Sequence, residues 1–440
     1  MRLQWRLLSL GLFSLLFSMS SCAQLQIQLT QGVDAAMPLA IYPFSGDDVT
    51  LPGGVTMSQV VMTDLKNSGQ FHDISPKKTV PLPTQSSDLD SKYLKKRGAN
   101  VVLMGSVHAM PTGQYQVSIQ LVDLYHQSSV DGAPHVLLQQ RYTVSQSSLR
   151  RLAHKISDDV YEQLLGVPGV FSTKIAYVLV NHSGLSSARY QLMVADADGF
   201  NPQPLLTSLM PIMSPTWVDA NHMVYVSFEG HRATIYWQDL VSGKRRVLSR
   251  SPGVNGAPAV SPDGKKLALV LTKTGNPNIY VMDIASGALQ RITSGLSIDT
   301  EPAWSPDGKR LIFTSNRGGN PQVYQYRFSD KQIQRLTFDG NYNARASFLP
   351  NTSDIVMMHR DEGVFGIARQ SLSSGRTEIL TQSGSDESPS VSPNGKMVIY
   401  AMQYQGKGVL AVVSSDGRVK LRLPAQAGSV QEPAWSPYLG

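Results

Sequence analysis

The carboxylates of Asp196-Ala197-Asp198-Gly199 begin as the ligands of a calcium loop begin. Such a loop closes with a bidentate glutamate downstream, and none stands at that distance here. The segment reads instead as a turn, like Asp263-Gly264 and Asp307-Gly308, where Gly accepts the positive φ that a tight reversal demands. The nine histidines are scattered without ligand spacing and read as surface or satisfied core groups. The sequence holds no HExxH pair, no nucleophile elbow and no phosphate-cradling loop. Asn181-His182-Ser183 and Asn351-Thr352-Ser353 fit the glycosylation pattern, at a level chance explains. One acidic constellation stands above that background: Glu301, Glu387 and Glu432, with Asp299 and Asp386 close by and Arg345 among them. Each sits just before or within a recurring phrase, so its meaning depends on what the phrase builds.

The phrase is Ser214-Pro215-Thr216-Trp217, then Pro258-Ala259-Val260-Ser261-Pro262-Asp263-Gly264, Pro302-Ala303-Trp304-Ser305-Pro306-Asp307-Gly308, Ala346-Ser347-Phe348, Pro389-Ser390-Val391-Ser392-Pro393-Asn394-Gly395 and Pro433-Ala434-Trp435-Ser436-Pro437. Its first positions, 215, 258, 302, 346, 389 and 433, recur every 43 or 44 residues. Self-similarity at this period marks propeller blades of about four strands. Within 302–337, apolar Pro302–Trp304 meets a Ser-Pro-Asp-Gly turn, then the β-rich run Leu311–Ser315, a Gly-Gly-Asn-Pro turn, the alternating Gln322–Tyr326, a Ser-Asp turn and Ile333–Thr337. We name these strands A to D. The first B strand, Lys174–Val178, has no A strand before it, and the last A strand, Pro433–Trp435, has no B strand after it. The tail is therefore expected to complete the head, closing a ring of six blades and hiding the edges an open array would expose. Trp217, Trp304 and Trp435 recur at one blade position and read as core.

In such a ring strand A lies nearest the axis, so every D-to-A connection runs inward and its last residues surround the channel mouth. Those are Met213-Ser214, Gly256-Ala257, Thr300-Glu301, Ala344-Arg345, Glu387-Ser388 and Gln431-Glu432. The expectation is an acidic funnel carrying one arginine. Its bland reading is a solvated mouth with no ligand; converging carboxylates and carbonyls would also suit a divalent cation in the channel. A loop-lined concave face on a rigid ring suits a protein segment best. No cofactor is expected.

The rest of the chain supplies a leader and a second domain. Arg2 and Arg6 precede the apolar stretch Leu7–Leu16, and Ser21-Cys22-Ala23 places small residues at a cleavage site, so residues 1–23 read as an export signal cut after Ala23. The alternative is a lipoprotein signal acylated on Cys22, the only cysteine. The formal charge of +7 includes both leader arginines and forms no run of five like charges, which gives little support to nucleic-acid binding. Residues 24–34 precede the core as a strand-like arm. Residues 35–166 alternate strand and helix patterns: Leu39–Phe44, a helix from Gly54 stopping at Gly69, Asn100–Val107, Tyr115–Leu124, Val136–Val144 and an amphipathic helix 146–165 ending at Gly166. That order implies an α/β domain, one mixed sheet covered by helices. Residues 167–173 read as the linker and 174–440 as the propeller.

Taken together, the leader, the α/β domain and the six repeats resemble the TolB family, a periplasmic component of the Tol–Pal cell-envelope system of Gram-negative bacteria. The resemblance is carried by Gly32-Val33-Asp34, Asp64-Leu65-Lys66-Asn67-Ser68-Gly69, Asn255-Gly256-Ala257-Pro258, Lys273-Thr274-Gly275, Tyr280-Val281-Met282-Asp283, Thr300-Glu301-Pro302 and Pro433–Tyr438. It implies a monomeric binding protein of the periplasm rather than an enzyme, serving outer-membrane integrity and cell division. It further implies that the lipoprotein Pal, and some colicins, bind at the propeller mouth, with other outer-membrane proteins as further partners, and that TolA binds the N-terminal arm. Carried over by motif, the mouth contacts fall on Ala257, Thr300, Glu301 and Pro302, with Met213, Arg345 and Glu387 nearby; the arm is represented by Gln24, Leu25, Gln26 and Ile27. Val254 stands where the family often has histidine. Two other classes compete. A peptidase would need a further hydrolase domain beside the propeller, and a glycan-binding or cell-wall-binding propeller would want aromatic residues at the mouth.

Overall fold

The computed structural model describes residues 27–29, 36–76, 82–127, 134–182, 188–424 and 426–439. The first domain is a five-stranded mixed sheet in the spatial order Phe71–Asp73, Met37–Ile41, Val101–Ala109, Gln114–Gln127, Pro134–Ser145. The first three strands are parallel and the long hairpin that follows is antiparallel. Alternation along each strand sends Leu39, Ile41, Leu103 and Ile119 to one face and Ala40, Tyr42, Val102 and Met104 to the other. Helices α1 (Met57–Asn67) and α3 (Leu149–Leu165) cover the first face; α2 (Ser91–Lys96), through Leu94, covers the second. Asp47 fixes the start of α1 by accepting from the amides of Met57 (3.2 Å) and Ser58 (3.0 Å), where helix N–H groups lack partners. In α3, Leu149, Leu152, Ala153, Ile156, Val160 and Tyr161 are all buried, the spacing of one helical face. Residues 146–148 form a 3-10 turn before α3 rather than its first turn, and the short edge strand Phe71–Asp73 carries too few residues for a periodicity signal.

The second domain is a ring of six four-stranded blades. Its closing strand, Ser429–Trp435, pairs antiparallel with Lys174–Asn181 and sets Trp435 opposite Ile175, so the tail completes the first blade. Three tryptophans bolt neighbouring elements. Trp217 of blade 2 donates from Nε1 to the Ala434 carbonyl of blade 1, Trp304 of blade 4 to Ala259 of blade 3, each at 3.0 Å, and Trp435 to Thr173 Oγ1 at 2.8 Å. The A-to-B turns are held by their own serines: Ser305 Oγ donates to Asp307 at 2.5 Å, and Gly308, at φ +68, returns its amide to the Ser305 carbonyl. Ile27–Leu29 adds a fifth strand to blade 6, antiparallel to Val419–Leu421. Among the described residues no helix is long and apolar enough to cross a membrane.

The two domains meet on the face opposite the D-to-A connections. The contacting propeller segments are the C-to-D turn of blade 1 (Asp198, Phe200) and the A-to-B turn of blade 6, where Asn394 Nδ2 donates to the Pro168 carbonyl at 3.0 Å. The mouth face is thereby left clear of the α/β domain.

Candidate functional site

Six residues, one per blade, hold left-handed backbone at the head of strand A: Ser214, Ala257, Glu301, Arg345, Ser388 and Glu432, with φ between 43° and 55°. None is glycine, and five precede proline, which itself disfavours helical backbone at that position. Each coincides with a break in register between strands A and B, as at Gly256/Ala259 and Thr300/Ala303. A bulge re-aims one side chain out of the pleat, and strain of about 1–3 kcal/mol per residue persists only where the surrounding fold over-determines it. Six repetitions of one strained residue make a ring around the axis.

Polar contacts run across this ring from blade to blade. Arg345 Nε donates to Glu301 Oε1 at 2.7 Å, Nη2 to Glu432 Oε1 at 3.2 Å, and Nη1 to Ser388 Oγ. Glu301 Oε2 also accepts from Thr314 Oγ1 at 2.9 Å and from the Arg345 amide at 3.1 Å. Glu432 Oε2 accepts from the Ser214 amide. Blades 4, 5, 6, 1 and 2 are so joined. Blade 3 contributes Ala257, whose side chain has no polar group; its link to blade 2 lies one step further along, where Thr216 Oγ1 donates to the Pro258 carbonyl at 3.0 Å.

The cavity above the ring, about 350 Å³, gathers Met213, Ala257, Thr300, Glu301, Pro302 and Arg345 together with Val254. Glu387 is not among its lining residues: it pairs with Ala401 in the sheet and stays exposed, while Ser388 occupies the ring position. The carboxylates of the funnel are mostly engaged, although two glutamates against one arginine leave it a net negative charge. Glu301 and Glu432 share Arg345. Asp299 is fully buried and takes Arg317 Nη2 at 2.9 and 3.0 Å. Asp386, buried, accepts from Thr381 Oγ1 at 2.5 Å and from the Ser383 amide at 3.2 Å, closing its own loop. A count of carboxylates misses this because their partners, Arg317 and Ser383, lie outside the repeated phrase.

A family model for the TolB amino-terminal domain matches residues 25–130, and one for the TolB beta propeller domain matches residues 161–439. The Tol-Pal system protein TolB of Coxiella burnetii is 54% identical over 428 residues, 97% of each chain. That of Alcanivorax borkumensis is 47% identical over 99% of this chain and 98% of its own. The chain belongs to the TolB family. The crystal structure of TolB from Acinetobacter baumannii matches 94% of this chain and 100% of that one at 39% identity, with a TM-score of 0.83. Membership makes the chain a Tol–Pal component with the six-bladed architecture of TolB.

A second polar centre of this TolB family member lies at the domain junction. His154 of α3, 2% exposed, places Nδ1 2.8 Å from Asp64 of α1 and Nε2 3.6 Å from Asp198 of blade 1. Ser157 Oγ donates to Asp64 at 2.8 Å. Arg150 donates to Asp198 and, at 3.1 Å, to the Pro52 carbonyl, and its guanidinium lies 4.3 Å from the Phe200 ring centre. Burial works against a charge on His154, but Asp64, with Asp198 behind it, outweighs burial and pushes its pKa up to about 9. Asp64, His154 and Asp198 lie close enough to share a metal ion, yet Arg150 already occupies Asp198. A charged imidazole between two carboxylates accounts for the cluster. The linker is pinned beside it. Asp158 of α3 accepts from the amides of Phe171 (2.7 Å) and Ser172 (3.1 Å), and Tyr161 meets Phe171 edge-on at 5.7 Å.

The sequence places Asp198 in a turn and His154 among scattered histidines; neither carries a signal of its own, because the fold joins residues from 48 to 90 apart. Of the arm residues, Ile27 opposes Leu421 on blade 6, while Gln24, Leu25 and Gln26 lie outside the described residues. The neighbouring cleft between the domains, about 490 Å³, is lined by Leu421, Leu423, Trp435, Tyr161 and Phe171.

Proposed function

We propose that this protein is a periplasmic docking component of the Tol–Pal system, taking the lipoprotein Pal at the propeller mouth and TolA through the arm of residues 24–34, in the service of outer-membrane integrity and cell division. Its parts are a leader (1–23), the arm, an α/β domain (35–166), a linker (167–173) and the propeller (174–440). The contact residues at the mouth are Met213, Ala257, Thr300, Glu301, Pro302, Arg345 and the exposed Glu387, with Ser388 beside it on the ring.

One observation carries the reading: the six left-handed residues form a single preorganised ring on the face that the α/β domain leaves clear. A rigid concave receptor loses little conformational entropy on binding. Recognition of a protein segment needs just this, and no group on the ring has the geometry of a nucleophile with its base.

Ala257→Tyr fills part of the mouth cavity without touching the Arg345 network. Calorimetry with the soluble domain of the cognate Pal should show at least a tenfold loss of affinity, about 1.4 kcal/mol or more, at an unchanged melting temperature. Unchanged affinity would remove the mouth from the Pal site. Deleting residues 24–29 should abolish TolA capture and leave Pal binding in place.

A further inference from the structure

We infer that the mouth face over blades 2 to 4 is the docking surface for an acidic protein surface that also presents apolar side chains. The inference rests on the mouth being the docking site and adds to it a direction and a partner chemistry.

Three observations converge on these blades. The first is charge. Arg232, Arg250, Lys273, Arg291 and Arg335 all lie in, or at the mouth end of, the B-to-C and D-to-A connections of blades 2–4. Among the described residues none of the five has a carboxylate within 4.0 Å. By contrast Arg245 is paired with Glu229 and Arg317 with Asp299. Of the acids in the same connections, Asp339 stays exposed outside an ion pair. Two of the free cations are held over rings, Lys273 at 4.8 Å from the centre of Tyr280 and Arg335 at 4.9 Å from that of Phe338, which limits their freedom without neutralising them.

The second observation is apolar exposure. Leu296 is 91% exposed and Phe338 69%, and Val254 and Ile298 stand half out of the surface, all in the D-to-A connections of blades 2–4. Large apolar side chains grouped beside arginine and aromatic residues are the composition of protein interfaces. In blade 5 the B-to-C connection, Glu362-Gly363, and the D-to-A connection, with Ser383-Gly384-Ser385, carry no cation, and the apolar exposure beside them is smaller, 44% for Val364 and 43% for Ile379.

The third is continuity with the ring. Its one apolar side chain, Ala257, belongs to blade 3, the middle of the arc, and the cavity there is lined by Val254, Thr300 and Pro302. A partner entering the mouth beside Ala257 would lie across the arc, not over the Arg345 side. Its carboxylates would meet the five cations and its apolar groups Leu296 and Phe338. Charge complementarity of this kind mainly accelerates encounter, and salt removes it.

The test is the association kinetics of the soluble domain of the cognate Pal with the full mature chain. Wild-type association should slow about tenfold between roughly 20 mM and 500 mM salt. The triple reversal K273E/R291E/R335E should slow it about tenfold at the low salt and match wild type at the high salt. L296S/F338S should instead speed dissociation at either salt. Salt-independent association by the wild type overturns the proposal without any variant. If the reversal changes nothing while Ala257→Tyr abolishes binding, the arc is overturned and the mouth reading stands. If both variants bind normally, both fall. Capture of phosphatidylglycerol vesicles through the same three cations, with Pal binding unaffected by them, would assign the arc to a lipid surface and overturn it as a protein site.

Discussion

The mouth and the domain junction sit at opposite ends of one ring, and both are built on carboxylates, yet they use them differently. At the mouth, Glu301 and Glu432 hold an Arg345 that is about one-third exposed, so the network organises backbone that the bulges have already aimed. At the junction, Asp64 and Asp198 hold a fully buried imidazolium, and an element of each domain depends on that charge. Exposed pairs contribute little to stability, while removing one partner of a buried set leaves the other uncompensated. The mouth can therefore vary its chemistry cheaply and the junction cannot. The strand Ser429–Trp435 connects them, since it delivers Glu432 to the ring and Trp435 to the cleft beside Thr173.

That connection gives the severest test of the contrast. A chain ending at Gly428 loses both ends of the strand and leaves Lys174–Asn181 as an open edge. Its melting temperature should drop by about 15 °C or its cooperative transition should vanish in circular dichroism. A truncated chain that melts like the intact one would mean that the ring does not depend on closure.

Next in size is the junction. His154 has its pKa raised from 6.5 to about 9 by folding, so the stabilisation it supplies is complete below about pH 6.5 and is lost as pH rises through about 9. His154→Gln should cost about 3 kcal/mol at pH 6 and flatten the stability profile between those limits, read by urea unfolding. An unaltered slope would show that the imidazole is neutral in the folded chain. The smallest effect belongs to the mouth. Arg345→Ala should lower stability by about 1 kcal/mol, with the slope across the window of His154 unchanged. A loss matching that of His154→Gln would erase the distinction between the two regions.

The same contrast explains what could be read from the chain. Blade number, closure and the inward position of Ala257, Thr300, Glu301 and Arg345 follow from a spacing of 43 or 44 residues, because a repeated unit puts equivalent residues at equivalent radii. Charge at the mouth could not be read that way: Arg317 and Ser383, which neutralise or satisfy Asp299 and Asp386, are specific to single blades. Within the pair Glu387-Ser388 the phrase does not say which residue sits on the ring, since the bulge gives Ser388 the left-handed backbone and leaves Glu387 exposed beside it. The junction left still less trace. Asp64, His154 and Asp198 come from two helices and a turn, and the contact exists only once the domains are in place. The arm strand Ile27–Leu29 has alternation but no partner visible in sequence, because Val419–Leu421 is an ordinary D strand until something pairs with its outer side.

Lys174 and Ser436, bonded through a backbone amide at 3.0 Å, are 262 residues apart, nearly the whole length of the propeller. A ribosome releases the first of them long before the second. Throughout that interval the earliest blade waits with three strands and a bare hydrogen-bonding flank, the kind of surface on which foreign strands assemble. The order of emergence thus makes the last dozen residues a completion signal: any message interrupted earlier yields a chain that advertises its own incompleteness.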